Sequence, residues 1–363
     1  VASLSEGINM PHLTILIDGN SIGYAAHHAT KLSSGGMQTQ AVYGFLRTVR
    51  ELRIRNPLAT IYVLWDGKAQ FRYDLCPEYK IKRVADTPEK IADKEAYKAQ
   101  IPFIKAALSA LGVAQILSYI HEADDLAGIL TNRIMSVPDQ EILLASGDVD
   151  WVQLIRRGVR WQDLRDKNNE KVITFENFVE KTGYKTPIAF LEGKALQGDS
   201  SDCIPGVGGI GEGTAPLFLA EHGSVGKFIK RCDSGEIKPA NKAQRSLWKG
   251  MSPYTKNQWK DLFHYVHDDS LSEEDNAKEC KKQLKKHMDA YEGQGRKLFV
   301  RNMQIMQLIK PHPLDKKQLE VDKGNFDLDK FIDVCAELNF SSILNVIDNF
   351  VQPFKQALTN QTN

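Results

Sequence analysis

Nine acidic residues have the types and spacing to do chemistry: Asp18, Asp66, Glu122, Asp124, Asp125, Asp148, Asp150, Asp199 and Asp202. The densest group is Glu122-Ala-Asp-Asp125, with three carboxylates in four positions. Acids are favoured where a helix starts, and Glu122 with Asp125 would suit a plain helix cap. Three carboxylates so close also repel one another unless a cation neutralises them. Magnesium and manganese take hard oxygen ligands of this kind. Two such ions about 4 Å apart can activate a water and steady the leaving 3′ oxygen of a phosphodiester. Zinc fits less well, since the histidines and cysteines show no HExxH or Cys/His spacing. Asp148 and Asp150 would share a face if extended, as paired ligands do. His27 and His28 are adjacent, and a pair one residue apart does not face one site, so both read as structural.

These acids sit at the ends of apolar runs. Leu13 to Ile17 reads as a buried strand ending in Asp18-Gly19-Asn20. Thr60 to Leu64 runs into Trp65-Asp66-Gly67, and Glu141 to Ala145 into Ser146-Gly147-Asp148. Val159 to Leu164 is a further strand. Gln40 to Ile54, Ile101 to Leu111 and Glu122 to Met135 have helical periodicity, and Val152 to Ile155 a single helical turn. The alternation predicts an α/β fold, a mostly parallel sheet covered by helices, in which ligands bind beyond the carboxyl ends of the strands. One aspartate after a strand is ordinary turn chemistry; three in register point to a site.

A second motif lies apart from the sheet. Between the predicted helix Thr186 to Gln197 and a helix reaching Glu221 runs Gly198-Asp-Ser-Ser-Asp-Cys-Ile-Pro-Gly-Val-Gly-Gly-Ile-Gly211. Gly206, Gly208, Gly209 and Gly211 let backbone amides approach a phosphate, with Val207 and Ile210 as apolar anchors. This is a grip on nucleic-acid backbone, blind to sequence. It is not a Walker loop, which ends in GK[ST], nor a dinucleotide fingerprint, which follows a strand.

The chain of 363 residues carries 47 Lys plus Arg against 46 Asp plus Glu. Setting the nine candidate ligands aside leaves 37 acids against the same 47 basic residues, an acidic pit in a basic body. No apolar run is long enough to span a membrane, no signal-peptide pattern opens the chain, and the five widely spaced cysteines fit a reducing cytoplasm. Residues 71–100 form a polar, mixed-charge segment outside the sheet pattern, read as a mobile insertion. Phe326 to Lys355 regains apolar periodicity and is expected to dock as terminal helices.

Taken in order, Ile17-Asp-Gly-Asn, Gln40-Ala-Val-Tyr-Gly-Phe, Trp65-Asp-Gly, Glu78-Tyr-Lys, His121-Glu-Ala-Asp-Asp, Ser146-Gly-Asp-Val-Asp and Gly198 through Gly211 resemble the 5′ nuclease superfamily, from about Leu13 to Gly226. That family comprises bacterial and phage 5′–3′ exonucleases, the 5′ nuclease domain of bacterial DNA polymerase I, and flap endonucleases. The resemblance implies a PIN-like 5′ nuclease fold with a helix–three-turn–helix DNA-binding lobe and a helical arch. It implies two or more Mg²⁺ ions, with Mn²⁺ able to substitute. One metal group is Asp18, Asp66, Glu122, Asp124 and Asp125, with Asp148 bridging to a second group of Asp150, Asp199 and Asp202. It makes the glycine hairpin a duplex holder that can carry K⁺, residues 71–100 the arch, and Lys80 and Arg83 the basic residues at the scissile phosphate. Lys90, Lys94 and Lys98, four residues apart, would form a basic stripe that guides the strand, with Glu89, Asp93 and Glu95 as local partners. The sequence departs from the family at Glu212-Gly213, where a lysine is usual, at Pro216, and at Cys203, where asparagine is common.

The expected activity is that of a 5′–3′ exonuclease and 5′ flap endonuclease leaving 5′-phosphate and 3′-hydroxyl ends, in primer removal or repair. The expected partners are DNA with 5′ ends, flaps, nicks or gaps, RNA–DNA primers and replication proteins; a cytoplasmic monomer is expected. The anticipated blocks are 11–185 with insertion 71–100, 186–270, and a basic, mainly helical 271–363. No polymerase or proofreading pattern follows, so a free-standing, phage-like nuclease is expected. The rivals are an inactive branched-DNA binding module, a PIN-type ribonuclease and a metabolic phosphatase. The presence of all nine acids and of the glycine hairpin argues against them.

Overall fold

The structure, a computed structural model, describes residues 11–83, 87–166, 170–249, 265–291 and 295–361. The chain divides into two compact units, an α/β unit of residues 1–69, 86–177 and 308–363 and a helical unit of residues 70–85 and 178–307.

The α/β unit is built on a seven-stranded sheet. In chain order its strands are β1 His12–Asp18, β2 Thr60–Trp65, β3 Ala114–Ser118, β4 Gln140–Ala145, β5 Val159–Gln162, β6 Val172–Ile173 and β7 Leu319–Asp322. They lie in the order β7-β3-β2-β1-β4-β5-β6. The five inner strands are parallel, and β7 and β6 close the two edges antiparallel. Strand order turns between β1 and β4, so the crevice for a ligand opens at their carboxyl ends. Leu13, predicted as the start of β1, follows one extra residue, and the expected parallel sheet is present.

Helices α1 Gly19–Ala29, α2 Gln40–Arg55, α3 Pro88–Lys98, α4 Ile101–Ala110 and α5 Ala123–Ile134 belong to the same unit. The apolar stripe of α2, Val42, Phe45, Leu46 and Val49, is fully buried, as its periodicity predicts. It shares one core with Ile15, Ile17, Val63 and Leu108, and with Phe331, Val351 and Phe354 from the far end of the chain. Those last three come from helices Leu328–Glu337 and Ile347–Gln361, so the terminal helices dock as expected.

The structure corrects three expectations. The segment 71–100 is not one insertion: residues 70–85 belong to the helical unit, while α3 joins the α/β unit. Tyr97 of α3 is buried because Gly23 of α1 leaves room for it; a Cβ there would lie 2.5 Å from the Tyr97 hydroxyl. Asp93 is not a local partner for the lysines alone. It accepts from His27 Nε2 at 3.1 Å, and His28 Nε2 stands 3.7 Å away, so the adjacent histidines do converge on one carboxylate. Lastly, residues 308–363 are part of the α/β unit and not of a separate C-terminal block.

The helical unit contains α6 Pro187–Gln197, α7 Ala215–His222, α8 Val225–Asp233, α9 Lys242–Lys249, α10 Glu273–Tyr291 and α11 Gly295–Met306, with a short helix Gln70–Leu75. Pro216 falls in the first turn of α7, where its missing N–H is harmless. Among the described residues no helix is long and apolar enough to cross a membrane, and the cysteines are all free thiols.

Candidate active site

At the carboxyl edge of the sheet, each acidic motif is tied to the next by hydrogen bonds. Asp18 ends β1 and caps α1, its Oδ1 accepting from Ser21 N at 2.9 Å. Its other oxygen accepts from the Ser146 hydroxyl at 2.7 Å, just past β4. The same hydroxyl accepts from Asp148 N at 2.9 Å, and Ser21 Oγ accepts from Gly147 N at 3.2 Å. Asp66, just past β2, accepts from Asn20 Nδ2 at 2.6 Å and from Ala123 N at 2.8 Å, the first turn of α5. Asp125 Oδ2 accepts from Glu122 N at 3.0 Å, so the capping role foreseen for this acid is real. Asp124 Oδ1 accepts from Trp151 Nε1 at 2.6 Å, which returns the path to the Asp148–Asp150 motif. Asp148 and Asp150 are not an extended pair. Asp148 caps a 3₁₀ helix, Val149–Leu154, and its Oδ1 accepts from Asp150 N at 2.8 Å.

The strand β3, absent from the sequence reading, explains how Glu122 arrives here. It leads through His121, whose Nδ1 lies 2.8 Å from Ser118 Oγ and whose Nε2 lies 3.0 Å from the His312 carbonyl oxygen. Gly67 N donates to the His121 carbonyl at 2.8 Å, holding this loop against the end of β2.

Asp18, Glu122 and Asp125 are buried, at 6%, 5% and 0% exposure. Burying several carboxylates at one edge is costly without compensating positive charge. Burial, and beyond it the nearness of Asp18 and Asp66, holds the Tyr97 hydroxyl above its usual pKa. Arg165 grips Asp163 through Nε at 2.8 Å and Nη2 at 2.9 Å, and donates to the Gly147 carbonyl at 2.8 Å. Its pKa is raised first by Asp163, with weaker pulls from Asp148 and Asp18. The donor set fits a hard divalent ion: carboxylate oxygens on four strand-end motifs, with no thiolate or imidazole among them. Among the described residues no three Asp, Glu, His or Cys side chains stand ready to hold one ion. Each of these carboxylates accepts from protein N–H or O–H donors and, with about four lone-pair sites apiece, has capacity left for an ion.

Asp199, Asp202, Lys80 and Arg83 belong to the helical unit. There Gly198–Asp199 pairs with Ile204–Pro205, closing the loop that carries both acids. Asp199 Oδ1 accepts from the Ser201 amide at 2.8 Å and hydroxyl at 2.6 Å. Burial works against its charge, but Ser201, Lys194 and the Asp202 amide hold its pKa below the ordinary carboxylate value. Lys80 N donates to the Asp202 carbonyl at 2.9 Å, Lys82 Nζ to the Ser200 carbonyl at 3.2 Å, and Arg83 forms an ion pair with Asp202. Cys203 has φ 58, a conformation that asparagine tolerates best among residues with a Cβ. The asparagine that the resemblance leads one to expect at this position would thus have a backbone reason.

The glycine hairpin runs on from this loop. Val207 and Ile210 are buried, as expected of its anchors. Gly206 is required by close approach, since a Cβ would lie 2.1 Å from the Gln197 carbonyl oxygen. Gly209, at φ 72, faces Ala243 of α9, whose Cβ would be 2.8 Å from its own. The Gly211 amide donates to Thr214 Oγ1 at 2.9 Å. Asn302, fully buried on α11, donates to the carbonyls of Ala195 at 2.9 Å and Pro205 at 2.8 Å, fastening both sides of the loop. Neither Asn302 nor Trp151 stood out in the sequence, because each looks like one polar or aromatic residue among apolar neighbours. Asn20 and Ser146 could have been found, since both lie inside the acidic motifs.

Residues 13–183 match the family model described as the 5′-3′ exonuclease N-terminal resolvase-like domain. This part of the chain belongs to the 5′ nuclease superfamily. The thermostable DNA polymerase I of Thermus filiformis is 34% identical over 231 residues, covering 63% of this chain and 26% of the polymerase. DNA polymerase I of Bacillus subtilis is 34% identical over 231 residues, 60% of this chain and 24% of that protein. The chain therefore spans about a quarter of the length of these polymerases. Among solved structures, the 5′-exonuclease of bacteriophage T5 with bound zinc superposes with a TM-score of 0.58 at 19% identity, over 95% of this chain and 99% of that one. The bacteriophage T5 flap endonuclease complexed with DNA and metal ions gives the same values. These likenesses show a shared fold, the mostly parallel, helix-flanked sheet of the 5′ nucleases.

Proposed function

We propose that this protein is a metal-dependent 5′–3′ exonuclease and 5′ flap endonuclease on DNA, leaving 5′-phosphate and 3′-hydroxyl ends. The observation that carries the reading is the hydrogen-bonded path that joins Asp18, Asp66, Asp124 and Asp148 at the strand-order turn of the sheet. Asp18, Asp66, Glu122, Asp124, Asp125, Asp148 and Asp150 would hold the divalent ions, with Mg²⁺ the best match to an all-carboxylate set. Asp199 and Asp202 are proposed as further ligands on the strength of their motif. When bound, the ions supply Lewis-acid charge to the attacking and departing oxygens. The hydrogen-bond donors Ser146, Asn20 and Trp151 fix the acids' orientations.

Lys80 and Arg83 are proposed to stabilise negative charge on the scissile phosphate. The hairpin of Gly206, Gly208, Gly209 and Gly211 would hold duplex backbone, with K⁺ as an added ion there, and Lys94 would guide a single strand. The substrates would be 5′ ends, flaps, nicks and gaps, including RNA–DNA primers, in replication or repair inside the cytoplasm. Cleavage of 5′-labelled flap, nicked and single-stranded DNA with and without Mg²⁺ tests the reading. Mg²⁺-dependent release of short 5′ fragments is expected, and binding without any cleavage would reduce the protein to a branched-DNA binding module.

A further inference from the structure

Trp151 is wholly buried, at 0% exposure, on the 3₁₀ helix that Asp148 caps. Its ring nitrogen has one hydrogen to donate and cannot accept. A buried donor has to find a partner, and a core position of this kind is ordinarily filled by an aliphatic or phenyl side chain that needs none. Here the partner is Asp124 Oδ1, at 2.6 Å, a short distance for an N–H···O bond. The bond spans 27 residues of sequence and joins the first turn of α5 to the Asp148–Asp150 motif. The second buried indole nearby, Trp161 on β5, gives its N–H to the backbone carbonyl of Asp148 at 3.0 Å. Trp161 therefore holds main chain, whereas Trp151 alone of the two holds an acid's functional atoms.

We infer that Trp151 is a positioning residue, whose indole N–H pre-orients the Asp124 carboxylate for a divalent ion. This rests on the reading of Asp124 as a ligand. A carboxylate with one oxygen tied to a fully packed side chain loses little further freedom when an ion arrives, and partners of this kind typically set metal affinity.

The test is Trp151→Phe, which keeps an aromatic filler and deletes the donor. Mn²⁺ binding to the DNA-free protein is measured by calorimetry, beside wild type and Asp124→Ala. The expected result is affinity weakened about 10-fold or more in Trp151→Phe, with the cleavage rate recovering as Mg²⁺ is raised. If Trp151→Phe binds Mn²⁺ like wild type while Asp124→Ala does not, the positioning role is wrong and the ligand reading stands. If Asp124→Ala also binds like wild type, both fall. Should Trp151→Phe fail to fold, the wild-type protein decides: a saturable shift of the Trp151 indole N–H resonance on Mg²⁺ titration supports the inference, and an unmoved resonance overturns it.

Discussion

On the proposed reading, the acidic edge of the α/β unit and the glycine loop of the helical unit would meet the same kind of chemical target by opposite means. At the edge, the working atoms are side-chain oxygens, each held by a donor such as Ser146, Asn20 or Trp151. In the loop, they would be backbone amides, and the side chains that matter are those absent at Gly206 and Gly209. A site made of side chains can lose its chemistry and keep its fold. A site made of backbone path is indifferent to most substitutions, yet where a Cβ is forbidden it loses shape and binding together.

The largest effect that would sharpen this contrast is at the edge. Asp124→Ala with Asp125→Ala is expected to lower single-turnover cleavage by about 1,000-fold or more, the loss of several kcal/mol of metal-derived stabilisation. DNA affinity in Ca²⁺ should survive. Stability should fall by roughly 2–4 kcal/mol, a lost helix cap plus an orphaned buried donor, since Asp125 bonds the Glu122 amide and Asp124 accepts from Trp151. Near-wild-type turnover in Mg²⁺ would remove these acids from the site.

Lys80→Ala comes next, with a single-turnover rate down about 100-fold at saturating DNA and a far smaller loss of affinity. A defect confined to affinity would make Lys80 a steering residue. Lys94→Ala should behave in the opposite sense and mildly, as befits an exposed lysine beside a phosphate.

Gly209→Val tests the backbone side of the contrast. A β-branched residue at φ 72 against Ala243 should strain the loop by about 1–3 kcal/mol. Duplex binding should weaken alike for all sequences, with the salt slope reduced by about 1 for each phosphate that the loop no longer holds. Unchanged affinity at two salt concentrations, or a new sequence preference, would break the backbone-grip reading.

The smallest effect concerns α10. Lys278, Lys281, Lys282, Lys285 and Lys286 are all exposed, but Lys278 pairs with Glu274 at 2.9 Å and Lys282 with Glu279 at 3.0 Å. Replacing all five by Gln should reduce DNA affinity only at low salt. A salt dependence identical to wild type would make this helix a solvated face.

Much of the edge was legible because its acids follow apolar runs, and runs such as Leu13 to Ile17 have no other good reading than a buried strand. β3 escaped because it places Gln115 in the interior, where it accepts from Trp65 Nε1 at 3.1 Å and donates to the Lys105 carbonyl at 2.9 Å. Paired burial of this sort has no trace in a hydropathy pattern. α1 escaped because Asp18-Gly19-Asn20 looks like a turn, whereas Asp18 is the helix cap. The split of residues 71–100 was hidden for a similar reason: Tyr97 and Asp93 have anchors in α1 that lie far away in sequence. The glycine loop could be read from composition alone, yet the residue that fastens it, Asn302, lies about a hundred positions downstream.

The antiparallel strand β7 and the helices after it have a consequence for how the chain is born. Leu319–Asp322 covers the outer edge of β3, and Phe331, Val351 and Phe354 fill the core that Ile15 and Val63 begin. A ribosome that has released every acid of the site has therefore not yet released what seals it. At roughly 5–20 residues per second, the wait is on the order of ten seconds. Through that interval the nascent α/β unit carries an open strand edge and an unfilled apolar face, the two features most apt to recruit the wrong partner. Synthesis rate and chaperone supply, more than the stability of the finished molecule, should then govern how much of it reaches the native state.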